Sequence, residues 1–148
     1  MDRFYRGFTA GIVGGVPMNV WSFFSYYILH FTDLRFLDWS SMIIYGHLPY
    51  NTFQTFYALI IQLLWVGLLG IIFAFLVPTI TSRGYLGKGV IYGIISGLII
   101  YGITTIFRVP NLVIFSTTTV ISNHVGGIIW GLVMAYTLHK LDTTPLRG

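Results

Sequence analysis

His124 is the one imidazole deep inside a long apolar stretch of this 148-residue chain. Asn123 precedes it, and Asn19 and Gln62 stand inside two other apolar stretches. Amide and imidazole groups are costly in lipid unless they are hydrogen-bonded, so they turn toward one another or toward a cavity. Asn19, Gln62, Arg108, Asn123 and His124 therefore form the candidate ligand-binding cluster, with Arg108 at its mouth. For the three amides the ordinary chemistry is helix–helix hydrogen bonding, worth about 0.6 kcal/mol per bond on average in membranes. His124 leaves three options open: a hydrogen bond within the bundle, a proton relay or ligand contact, and a metal or haem ligand.

Other chemistry finds little support. His30 and His47 would lie on the same side as His124, but the spacing matches no zinc site and no HExxH or carboxylate cage accompanies them. Asp33 and Asp38 could act as a catalytic pair only if both faced one pocket; Asp38, next to Trp39, is expected instead to pair with Arg35 or Arg108. Cysteine is absent, and no nucleophile elbow or phosphate-binding loop occurs. No catalytic residue, metal site or cofactor is assigned. The net charge of +4 is carried by single Lys and Arg residues, so a nucleic-acid partner is not expected.

The elements that must position these residues are four apolar stretches, 7–29, 56–77, 86–107 and 119–139. Each approaches the roughly 20 helical residues that cross a bilayer core. With 55% of residues hydrophobic and 8% charged, a water-exposed surface could not be built. The sequence predicts an all-α polytopic membrane protein with four transmembrane helices in a single domain, 1–148. The first stretch is too long for a signal-peptide core and lacks a following cleavage site, so it is expected to remain as a helix. Six of the eight basic residues (Arg3, Arg6, Arg83, Lys88, Lys140 and Arg147) fall on one side. The positive-inside rule then places both termini and the 79–88 turn in the cytoplasm of a multi-pass cell-membrane protein.

Glycines recur four apart: Gly7, Gly11 and Gly15; Gly89, Gly93 and Gly97; Gly127 and Gly131, continued by Ala135. Residues at that spacing share a helix face, and small residues there let backbones approach. A parallel two-helix repeat is also legible. A shift of 82 overlays the glycines of the first stretch on those of the third; a shift of 61 overlays Gln62 on Asn123, Gly70 on Gly131 and Ala74 on Ala135. The connection 31–55 is expected to hold an interfacial helix across the outer mouth, with Asp33 as its cap and Leu34, Leu37, Met42 and Ile43 as its apolar stripe. The alternative is a lid over a polar pocket. The run Leu112–Phe115, after the Pro110 break, is expected to be half-inserted.

The segments HFTD at 30–33, GLLGIIFAF at 67–75 and YGIISGLIIYG at 92–102, followed by an Arg–Val–Pro break, resemble the small YqhR-type membrane proteins of spore-forming Firmicutes. The resemblance implies a four-helix membrane protein without an assigned activity, so it carries over no catalytic residue. The chain departs from that pattern in its short N-terminus and its NHVGGIIWG stretch.

Three functional classes fit the sequence. One is a non-enzymatic packing, assembly or scaffold protein. The second is a small transporter, channel or lipid-handling protein acting as an oligomer. The third is a membrane redox or enzyme subunit using His124. Membrane lipids are expected partners in each, together with a second copy of the chain or another membrane protein.

Overall fold

The computed structural model describes residues 1–79, 83–113 and 115–143. The fold is all-α, with α1 (Arg3–Tyr27), α2 (Phe36–Tyr45), α3 (Thr52–Thr79), α4 (Tyr85–Ile106) and α5 (Thr117–Thr143). Helices α3, α4 and α5 are long and apolar enough to cross a membrane, which marks a multi-pass membrane protein. Helix α1 has the length, at 25 residues, but is less apolar than these three. Its buried face is built of Gly, Ala, Asn and Ser with a single larger apolar side chain, Met18.

Local chemistry sets the helix ends. Asp2 caps α1, its Oδ1 accepting from the Tyr5 N–H at 2.9 Å. Asn51 does the same at the start of α3, accepting from Gln54 N–H at 2.9 Å. Gly46, at φ 72°, closes α2 in the left-handed conformation that glycine adopts without strain.

Helix α1 lies at the centre, with α3 on one flank and α5 on the other, and α4 packs on the far side of α5. Helices α3 and α4 scarcely touch, so the four long helices form an arc with one open side. The ion pair Arg6–Asp142, at 3.2 Å, ties the start of α1 to the end of α5. Arg147 and the middle of the 79–88 turn lie outside the described residues.

Close backbone approach explains the glycine spacing. A Cβ added at Gly7 would meet Ala74 Cβ and the Gly70 carbonyl at 2.8 Å, and one at Gly11 would run into the Val66 carbonyl. The pair α4–α5 repeats these contacts. A Cβ at Gly89 would strike Ala135 Cβ and the Gly131 carbonyl, and one at Gly93 the Gly127 carbonyl. Each member of the second set is the first displaced by 82 on one helix and by 61 on the other. The polar contacts follow the same rule. Asn19 Nδ2 donates to Gln62 Oε1 at 2.8 Å, and the displaced pair, Tyr101 and Asn123, is hydrogen-bonded in turn. Gly97 is the exception: it continues the row on α4, yet a Cβ there would meet nothing within 4 Å, whereas its counterpart Gly15 sits against Val66 and Leu63.

Candidate functional site

The open side of the arc is a cleft of about 730 Å³ between α3 and α4. One wall is α3 around Ile61–Leu69, and the other is α4 from Gly93 to Thr104. Helix α5 forms the back with Asn123, His124, Gly127 and Trp130. Among the described residues no Asp, Glu, Lys or Arg lines it.

Each end is closed by aromatic residues. At the end nearer the chain termini, Tyr92 reaches from α4 to α3, its hydroxyl donating to the Leu69 carbonyl at 2.8 Å. The same ring packs on Phe73, with centroids 5.2 Å apart, and on Trp130, at 5.9 Å. At the other end α2 lies over the cleft. Its Trp39 meets Tyr101 edge-on at 5.9 Å and stacks on Phe115 at 5.7 Å. Leu34, Met42 and Leu112 complete this cluster.

Helix α2 thus roofs a cleft that is mainly apolar, where the sequence suggested either an interfacial helix or a lid over a polar pocket. Its stripe holds at Leu34, Leu37 and Met42, but Ile43 is 83% exposed. The cap assignment differs. Arg35, not Asp33, starts α2, and the Asp38 carboxylate accepts from the Arg35 backbone N–H at 2.6 Å. Asp33 instead accepts from the Ser116 and Thr119 hydroxyls at 3.3 and 3.4 Å, tying the 31–35 segment to the start of α5. Asp38 pairs with Arg35 at 3.0 Å, as expected from the sequence. The two aspartates face no common pocket.

The candidate cluster is divided. Gln62, Asn123 and His124 line the cleft. Asn19 stands behind Gln62 on α1, buried, donating both to Gln62 and to the Gly15 carbonyl at 2.8 Å. Arg108 does not join them. It is exposed in the turn after α4, at φ 49°, and is not among the cleft's lining residues. His124 lies beside Tyr101, with ring centroids 6.3 Å apart. His30 is exposed, and His47 is stacked on Tyr50 at 3.8 Å with its Nδ1 on the Leu48 carbonyl, so the three histidines do not converge. Among the described residues no group of His, Asp or Glu is placed to hold a metal ion.

Sequence inspection missed Tyr101 and Tyr92, whose hydroxyls make two of the polar contacts between helices. The signal was present for one of them, because the shift of 82 lays Tyr101 on Asn19.

The cleft also has a counterpart in the repeat. The contact between α1 and α5 is tight: Trp21 Nε1 donates to the Ser122 carbonyl at 2.9 Å, Trp130 Nε1 to the Gly11 carbonyl at 3.0 Å, and Gly14 lies against the Trp130 backbone. The same displacements turn Trp21, Ser122, Trp130 and Gly14 into Ile103, Ile61, Leu69 and Ser96. All four of these line the cleft. The interface that is sealed by indole hydrogen bonds on one side of the arc is lined on the other by aliphatic residues and a serine, and it stands open.

Comparison with family models, curated proteins and solved structures returns no match.

Proposed function

We propose that this chain is a four-span protein of the cell membrane, built from two parallel two-helix repeats, that holds one lipophilic molecule in the cleft between α3 and α4. It belongs on this reading with lipid-handling proteins, and no catalytic role is assigned to His124. The carrying observation is the broken equivalence of the two interfaces. The cleft is about 730 Å³, within the range of roughly 300–1,000 Å³ typical of small-molecule sites. It is bounded by aromatic residues at both ends. The assembly reading has less support, because most of the glycine faces that suggested self-association are spent inside one chain.

Orientation follows from charge. Arg3, Arg6, Arg83, Lys88 and Lys140 mark one end of the bundle and Arg35 and Arg108 the other, which supports cytoplasmic termini with α2 outside. Reporter fusions at residues 1 and 148 should both read cytoplasmic; an external signal from either end reverses the assignment.

The binding proposal is tested by filling the cleft. Gly97→Trp puts an indole where nothing now stands within 4 Å. The purified parent should retain about one extractable lipophilic molecule per chain through detergent washing, as a single site requires. The variant should lose it while keeping its helical circular dichroism and its elution volume. Equal retention by both proteins would remove the cleft as a binding site.

A further inference from the structure

Two hydrogen-bond donors in the lining of the cleft have no acceptor among the described residues. Asn19 uses its amide N–H groups on two acceptors, the Gly15 carbonyl and Gln62 Oε1, both at 2.8 Å. The Gly15 carbonyl can only accept, so the orientation of the Asn19 amide is fixed, and with it that of Gln62. Gln62 Nε2 makes no hydrogen bond to the described residues; the residue is 5% exposed and lines the cleft, toward which this donor is open. Trp39, also lining the cleft, has a buried indole Nε1–H with no acceptor among the described residues. Buried donors in native proteins are paired in the great majority, and an exception points to a missing partner. Asn123 and Tyr101, which also line the cleft, are hydrogen-bonded to each other. Two donors at the cleft, Gln62 Nε2 and Trp39 Nε1, thus have no acceptor among the described residues, and none of the described residues lining it carries a formal charge.

We infer, building on the proposed lipophilic site, that the occupant is a neutral lipid carrying a carbonyl acceptor on a hydrocarbon chain, with the carbonyl at the α2 end. The chain lies between the aliphatic walls of α3 and α4, above the floor made by Tyr92. The carbonyl takes hydrogen bonds from Gln62 Nε2 and the Trp39 indole. A charged headgroup finds no counter-ion in this cleft and is excluded by desolvation. Two membrane-soluble sources share the required chemistry, a quinone ring and a glycerolipid ester.

The test uses the whole chain in mild detergent, with decylubiquinone and dioctanoylglycerol as carbonyl probes and hexadecane as a hydrocarbon without an acceptor. Binding is read from the melting temperature as a function of probe concentration. At least one carbonyl probe should bind more tightly than hexadecane, and the tighter of the two identifies the source. Trp39→Phe removes an N–H that the folded chain does not use, so it keeps the fold intact. It should weaken the carbonyl probe about 5-fold, the loss of one hydrogen bond, and leave hexadecane unchanged. Gln62→Leu should weaken the same probe by a similar factor. If hexadecane binds as well as both carbonyl probes, or if Trp39→Phe leaves carbonyl affinity unchanged, the carbonyl assignment is overturned while the lipophilic cleft survives. If no probe binds the parent and Gly97→Trp alters nothing, both fail.

Discussion

Replacing Gly131 by Leu is expected to produce the largest loss of stability of any single change in this bundle. Gly131 faces the Gly89 carbonyl so closely that even a Cβ could not be placed without moving one helix, and Gly89 faces the Gly131 carbonyl in return. The obstruction is backbone, which cannot rotate aside as a side chain can. Overpacking a core costs about 1–3 kcal/mol where side chains can adjust, and a contact between two backbones belongs at or above the top of that range. For a chain of this size about 3 kcal/mol corresponds to a fall of roughly 10 °C in the melting temperature. Gly11→Leu should behave alike, because it opposes the Val66 carbonyl in the other pair. Gly97→Leu, with open space before it, should melt within a degree or two of the parent. Similar melting for all three variants would show that the glycine rows do not set the helix separation.

Asp38→Ala is expected to cost nearly as much. The Asp38 carboxylate is 3% exposed and accepts from the Arg35 backbone N–H at 2.6 Å and from its guanidinium at 3.0 and 3.3 Å. The guanidinium is fixed further by the Tyr27 hydroxyl at 2.8 Å and lies 5.2 Å from the centre of the Tyr26 ring. Burial acts to lower the Arg35 pKa, but the hydrogen bond and charge of Asp38, with Tyr27, outweigh it and hold the pKa above its usual value. Removing one member of a buried ion pair strands the other and typically costs 3–5 kcal/mol; partial exposure of Arg35 puts this case near 3 kcal/mol. The loss falls on α2, so amide exchange should rise across 36–45 before it rises elsewhere. The exposed Asp33 offers the comparison, and Asp33→Asn should stay within about 0.5 kcal/mol of the parent. If Asp38→Ala and Asp33→Asn melt together, the pair does not anchor the roof.

The helices and their pairing could be read from the chain because they depend on local patterns. Runs of apolar residues defined α3, α4 and α5, and small residues four apart marked the faces of α1 and α4 that approach their partners. The spacing could not say which glycine would be left over. Gly15 and Gly97 are equivalent in the pattern, and only the placement of α3 relative to α4 makes one crowded and the other open. Arg108 was grouped with the amides on depth alone, but its left-handed backbone turns it away from the bundle. Tyr101 was overlooked because a tyrosine in a membrane helix is usually counted as an aromatic surface, although its hydroxyl bonds Asn123. The cleft itself arises from what separates two otherwise matching interfaces: Trp130 seals one side, and Leu69 stands at the matching place on the other.

An arc fastened along a single line has mechanical consequences. The halves α1–α3 and α4–α5 are each locked by their own glycine contacts and amide bond, and they meet chiefly where α1 runs along α5. That line acts as the spine of a book whose covers are α3 and α4. Across the free edge the bridging hydrogen bond is Tyr92 to the Leu69 carbonyl, with α2 laid over the top. Swinging the covers apart leaves the spine intact, costs the Tyr92 bond and the packing of α2 on one of the covers, and opens the gap sideways. On the proposed lipophilic reading, a guest would enter from within the bilayer, without passing through water at either face.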